Sequence, residues 1–161
     1  MAYLGAETTL NLLQGDPEIL DHRVGIVGRG IGGEVGAHLA ANTARVEAVA
    51  AYNPLFARSD FLATSNHPLA EGLRRAVADD LDAMVTTLAT RDLGRQLEVS
   101  NETHWMVQVG NDDDRISERD WGRLTMEIPR AVRLRRHRSM ADVVANPGRR
   151  ERVEFISELC G

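Results

Sequence analysis

Residues 24–36 read VGIVGRGIGGEVG, an apolar run that breaks into glycines and then resumes at helical spacing. Two unrelated chemistries use such a strand, turn and helix. One cradles a dinucleotide pyrophosphate on backbone N–H groups at a helix N-terminus. The other holds a catalytic nucleophile on a sharp strand-to-helix turn. Gly28, Gly30 and Gly33 satisfy the G-x-G-x-x-G spacing of the first. The same stretch satisfies G-x-S-x-G-G, the pattern of the second, with Gly30 where the serine belongs.

The flanks weigh between them. A dinucleotide fingerprint wants a carboxylate about 20 residues on, at the tip of the next strand, to take the ribose hydroxyls. That strand ends Ala50-Ala51-Tyr52-Asn53-Pro54, and its one acid, Glu47, sits at the start. A helix also precedes the first strand, where such domains usually begin on the strand itself. Cofactor binding through Gly28, Gly30 and Gly33 therefore stands as the alternative reading, and no cofactor is expected on the main one.

Patterning along the chain alternates helix and strand, which predicts an α/β fold with a mostly parallel sheet. Residues 3–14 carry Tyr3, Leu4, Leu10, Leu12 and Leu13 at helical spacing before Gly15-Asp16-Pro17. Strands are expected at 23–27, 46–52, 104–109 and 131–135, with a helix over 31–42 between the first two. Residues 55–101 read as a helical insertion, periodic from Leu69 to Leu88. After it come the acidic loop NDDDR, a helix from Ser117 through Met126, a break at Pro129, and a final helix over 148–159. That last helix is expected to turn Val153, Phe155, Ile156 and Leu159 inward. One domain spanning 1–161 is expected at this length.

Composition narrows the function classes. The chain is 43% hydrophobic and 27% charged, ordinary for a globular protein. Its 19 basic residues are all arginine, and the net charge of −5 argues against a general nucleic-acid surface. No apolar run approaches the roughly 20 residues of a membrane helix. The start, MAYLGAETTL, has neither the basic nor the apolar region of a secretory signal. Cys160 is the single cysteine, which rules out an internal disulfide. A soluble, cytoplasmic protein is the expectation.

From Gly15 onward the sequence resembles the C-terminal half of an α/β-hydrolase, in the branch of dienelactone hydrolases, acetyl esterases and prolyl-oligopeptidase-like proteins. DHRVGIVGRGIGGEVGAHLAANTARVEAVAAYNPLF matches their strand, elbow, helix and following strand. In WMVQVGNDDDRISERDWGRLTMEIP, Gly110 to Ile116 fit the G-x-x-D-x-R-[VI] loop, which places the triad acid at Asp113. His137 falls where the triad histidine is expected, although its loop, RRHRSMADVV, departs from the family's Gly-His pattern. The resemblance implies an ancestry in carboxylic ester or acyl hydrolysis, with serine attacking, histidine taking its proton and the acid orienting the histidine. Here the nucleophile position, Gly30, is vacant. The backbone N–H of Ile31 remains as one oxyanion donor. A catalytically impaired protein, a pseudoenzyme with a residual small acyl or ester ligand, is therefore expected.

The family's sheet carries further strands before the elbow, so one long edge is expected to lie open. A homo-oligomer or a partner chain covering that edge is the corresponding expectation. Other candidates have plainer readings. Asp112, Asp113 and Asp114 form a solvated turn rather than a cation site. His22, His38, His67 and His104 lack metal-ligand spacing. Ser139 lies outside any elbow, and Trp105 and Trp121 read as packing residues. The basic run Arg130, Arg133, Arg135, Arg136, His137 and Arg138 reads as a solvated strand edge and loop.

Overall fold

The computed structural model describes residues 2–14, 24–99, 102–127 and 132–160. Gly15 to Arg23, Pro129, Arg130 and Ala131 therefore lie outside the described residues, His22 among them. In chain order the elements are α1 (Ala2–Gln14), β1 (Val24–Arg29), α2 (Ile31–Asn42), β2 (Val46–Tyr52), α3 (Arg58–Thr64) and α4 (Pro68–Ala76). A 3₁₀ turn over Ala78–Asp80 leads into α5 (Leu81–Ala89) and α6 (Leu93–Val99). β3 (His104–Gly110), α7 (Glu118–Glu127), β4 (Val132–His137), α8 (Met140–Val144) and α9 (Gly148–Cys160) complete the fold.

The four strands form one sheet in the order β1-β2-β3-β4, every pair parallel. Strands covered on both faces read as near-continuous apolar runs, and β2, VEAVAAY, does so with five of its seven residues buried. One core lies on the α2 side of the sheet, where Leu39, Val49, Phe56, Leu93, Leu97 and Trp105 pack with Ile26 and Trp121. A smaller one lies under α9, where Phe155 meets Ala48, Ala50 and Met106. Burying a side chain of the size of Phe155 stabilises by about 2–3 kcal/mol.

Several boundaries differ from the expectation. β1 continues through Gly28 to Arg29, which pair with Ala51 and Tyr52 of β2, and a Cβ at Gly28 would meet the backbone of Gly32 and Gly33 at 2.3–2.4 Å. The glycine belongs to the strand and admits the following helix, rather than ending the strand. β4 runs to His137, so the histidine is the last residue of the strand. The insertion breaks into separate helices, with Pro68 at the start of α4 and His67 Nδ1 accepting from the Leu69 N–H at 3.0 Å. Arg74 then donates to the carbonyls of Leu62 and Ser65, both at 2.8 Å, which ties α4 to α3. On α9, Val153 is 58% exposed, while Arg152, its neighbour, is 5% exposed and takes the inward place. Leu4 and Leu12 of α1 likewise face outward, and Leu10 is the buried one.

Candidate functional site

The C-terminal ends of parallel strands are where open α/β sheets bind ligands, and the candidate residues gather there. β1 delivers the chain to Gly30, whose backbone stands at φ 52° and ψ −122° before α2 begins at Ile31. Such a conformation is strained for any residue with a Cβ and is found at functional turns. The Gly30 N–H donates to the Tyr52 carbonyl at 2.9 Å, and the Gly30 carbonyl accepts from the Gly33 N–H at 3.0 Å. Around it the small residues are sterically required: a Cβ at Gly33 would meet Ala51 Cβ at 2.8 Å. At Gly30 itself the nearest atom to an added Cβ is the Asn53 carbonyl oxygen, at 3.8 Å. The turn has the form of a nucleophile elbow and has room for the side chain that Gly30 lacks. Ile31 is the first residue of α2, where a backbone N–H has no acceptor within the helix.

Glu34, one turn into α2, is buried and ion-paired with Arg58 at the start of α3. This pair braces the elbow helix against the segment after β2. Asn53, at the tip of β2, stands at φ 47°, and its buried amide has no hydrogen-bond partner among the described residues. Its backbone is held on both sides, the N–H by the Gln108 carbonyl at 2.8 Å and the carbonyl by Arg115 Nη2 at 3.3 Å.

Asp113 follows β3 in the acidic loop and is buried. Its carboxylate is gripped by the residue two positions on: Arg115 Nε donates to Oδ1 at 2.7 Å and Nη2 to Oδ2 at 2.6 Å. A bidentate fork of this kind is among the stronger side-chain contacts. The hydrogen bond to Asp113 holds the Arg115 guanidinium above its ordinary value, against the opposing effect of burial. Asp112, by contrast, accepts from the Met140 N–H, and Asp114 lies 3.4 Å from His67 Nε2, so the three carboxylates diverge. No group of three metal-ligating side chains converges among the described residues.

His137 sits elsewhere. Alternation along β4 sends Arg133 to the α9 side, where it lies over the Phe155 ring, and His137 is four residues further on the same face. Its Nε2 is 3.5 Å from Glu151 Oε2 and 3.4 Å from Gln108 Nε2, and its side chain is 8% exposed. Among the described residues no hydrogen bond or ion pair joins Asp113 to His137. Gln108, fully buried in β3, donates to Glu151 at 2.8 Å and to the Gly148 carbonyl at 3.2 Å. Its Oε1 accepts from Arg152 Nη1 at 2.6 Å, and the Arg152 guanidinium lies 4.0 Å over the Tyr52 ring. Burial holds the Arg152 guanidinium below its ordinary value.

The other nucleophile candidates are occupied or distant. Ser139 Oγ caps α8 by accepting from the Asp142 N–H at 3.1 Å. Cys160 packs where a Cβ on Gly25 would be, near the opposite end of β1 from Gly30. Beside the Asp113 loop, a groove of about 370 Å³ runs between α3 and residues 114–120, with Phe56 and Phe61 on one wall and Arg115 and Arg119 on another.

A parallel sheet with helices on both faces and a strained glycine between strand and helix defines an α/β-hydrolase type of fold. The chain belongs to the BAAT / acyl-CoA thioester hydrolase C-terminal family, whose profile covers residues 6–139. Among solved structures, an esterase from Pyrococcus furiosus matches 99% of this chain at 13% identity and a TM-score of 0.69. Acetyl xylan esterase 1 from a Thermoanaerobacterium species matches 85% of it at 17% identity and a TM-score of 0.61. The chain spans 62% of the first structure and 45% of the second. No curated protein matches it in sequence.

The residues that sequence reasoning missed are Glu34, Asn53, Gln108, Glu151 and Arg152. Gln108 had a signal, a polar residue inside the apolar run HWMVQV. Arg152 and Glu151 had none, since an arginine and a glutamate on an amphipathic helix read as solvent-facing.

Proposed function

We propose that this chain is an acyl-ligand-binding member of its family that does not turn substrate over by covalent catalysis. The observation that carries the reading is Gly30. The elbow is built around it, and it has no side chain to attack a carbonyl. An acyl-enzyme needs a hydroxyl or thiol at that point, and loss of a triad member typically costs several orders of magnitude in rate. The remaining Asp113 and His137 are the acid and the histidine by resemblance, and their observed partners, Arg115 and Glu151, leave no relay between them. The groove beside the Asp113 loop and the Ile31 N–H support retained binding of an acyl group.

Two measurements test this. A fluorophosphonate probe is expected to leave the native protein unlabelled, and labelling would overturn the loss of the nucleophile. An S-alkyl coenzyme A thioether, which cannot be cleaved, is expected to raise Tm as a ligand of the folded state; an unchanged Tm at millimolar thioether removes the binding reading.

The sheet edge favours a second component. Among the described residues β1 is an edge strand, and Val27 on it is 52% exposed beside Val144 and Val153. Exposed apolar residues along an unpaired strand invite further strands. We read this edge as covered in the working protein, by a second copy or by a partner chain. Light scattering at micromolar concentration gives the answer: a monomeric mass removes self-association.

A further inference from the structure

We propose that Glu151 on α9, rather than Asp113, is the carboxylate that positions His137. The inference rests on reading His137 as the histidine of the hydrolase-type site. Asp113 is committed on both oxygens: Oδ1 accepts from Arg115 Nε at 2.7 Å and from the Arg115 backbone N–H at 3.2 Å, and Oδ2 accepts from Nη2 at 2.6 Å. Arg115 is anchored in turn on the Asn53 carbonyl. Turning Asp113 toward a histidine would strip a buried carboxylate of its cation, which is strongly unfavourable.

The geometry around His137 also assigns its tautomer. Gln108 cannot flip, because its Oε1 accepts from Arg152 Nη1 at 2.6 Å and an amide nitrogen in that place would face a cation. The Gln108 nitrogen then has two protons, and both have oxygen acceptors, Glu151 Oε2 at 2.8 Å and the Gly148 carbonyl at 3.2 Å. It has no proton left for His137 Nε2, which lies 3.4 Å away, and it offers no lone pair. Among the described residues, the acceptor that faces Nε2 is Glu151 Oε2, at 3.5 Å. Nε2 therefore carries the proton and directs it to Glu151, and Nδ1 is the unprotonated nitrogen. Nδ1 has no hydrogen-bond partner among the described residues. In a histidine oriented by a carboxylate, one ring nitrogen faces the acid and the other acts as base. Here that division is kept, with α9 in place of the β3 loop and Nδ1 as the basic nitrogen. Glu151 acts through His137 and is a positioning residue.

Long-range ¹H–¹⁵N correlation spectra of the ¹⁵N-labelled protein read both ring nitrogens of His137 directly. In the neutral ring, Nε2 is expected to be protonated and Nδ1 bare. Glu151→Gln is expected to move both ring resonances and to speed exchange of the Nε2 proton, and Glu151→Asp to recover part of the native pattern. Asp113→Asn is expected to leave the ring unmoved. The inference is overturned if Asp113→Asn moves the ring and Glu151→Gln does not, or if neither does. Should Glu151→Gln fail to fold, the native spectrum decides alone, since an Nδ1-protonated neutral ring contradicts the assignment. The thioether and fluorophosphonate experiments do not depend on this outcome, so the failure of one reading is distinguishable from the failure of the other.

Discussion

The rims of β1 and of β3 and β4 are built in opposite ways. At the end of β1 the shape of an elbow persists: Gly28 admits the helix backbone, Gly33 clears Ala51, and Gly30 takes the strained turn. What Gly30 lacks is a side chain. At the ends of β3 and β4 stand polar side chains, a buried aspartate and a histidine, each with its own partners. Asp113 is held by Arg115, whereas His137 Nε2 faces Glu151 Oε2 at 3.5 Å with the Gln108 amide at 3.4 Å beside it. Backbone form and side-chain chemistry are thus separable in this fold, because they rest on different contacts: close packing of glycines at one rim, charged hydrogen bonds at the other.

That contrast predicts a graded set of responses. The largest is at Gly28, where an added Cβ would lie 2.3 Å from the Gly32 carbonyl carbon, backbone that cannot move aside cheaply. Gly28→Ala is expected to cost about 3 kcal/mol or more in urea unfolding. Next is the hub of the other rim. Gln108→Leu leaves the Arg152 guanidinium short of an acceptor and removes a donor from Glu151, at about 2–3 kcal/mol. If Gln108→Leu proved harmless, the contrast between packing and wiring would fail. Gly30→Ala is milder, because its Cβ has 3.8 Å of clearance and only the positive φ opposes it. About 1–2 kcal/mol is expected, and a loss as large as that at Gly28 would mean that the vacancy is not real.

The smallest effect concerns Glu118, on the solvent side of the same rim. A hydrogen bond from Arg136 holds its carboxyl below the usual carboxylate range. Its contribution is then present above that range and fades as pH falls through the lowered folded value. Glu118→Gln is expected to flatten the acid limb of stability slightly, read as urea midpoints near neutrality and in acid. Glu118 is exposed, so the change is small and weakens further in salt.

Much of the fold was legible, and particular residues show why. β2 matches its expected span because both of its faces are buried, so its hydrophobicity is continuous. β4 was expected to stop at Arg135, since Arg136 and His137 read as loop, yet the parallel ladder to β3 continues to Gly110 and His137. That two-residue difference moved His137 from a loop onto a pleat, and with it the face that the ring occupies. α8 carried a visible signal in Ser139 and Asp142, a cap three residues apart, although a five-residue helix leaves little periodicity. The strand-to-helix turn was legible at Gly28, Gly30 and Gly33, where glycine spacing is a backbone requirement written in sequence. The hydrogen-bonded rim was not legible, because Arg115, Gln108 and Glu151 choose their partners only in three dimensions.

The room around Gly30 has a consequence for redesign. An added Cβ there has 3.8 Å of clearance to the Asn53 carbonyl, so a serine or a cysteine would be opposed by the positive φ alone. The opposite rim is harder to change, because the Asp113 carboxylate would have to leave Arg115 before it could take another partner. A side chain is therefore easier to add at the first rim than a hydrogen bond is to rewire at the second. A serine placed at position 30 would have to take its base from a His137 that faces Glu151 rather than Asp113.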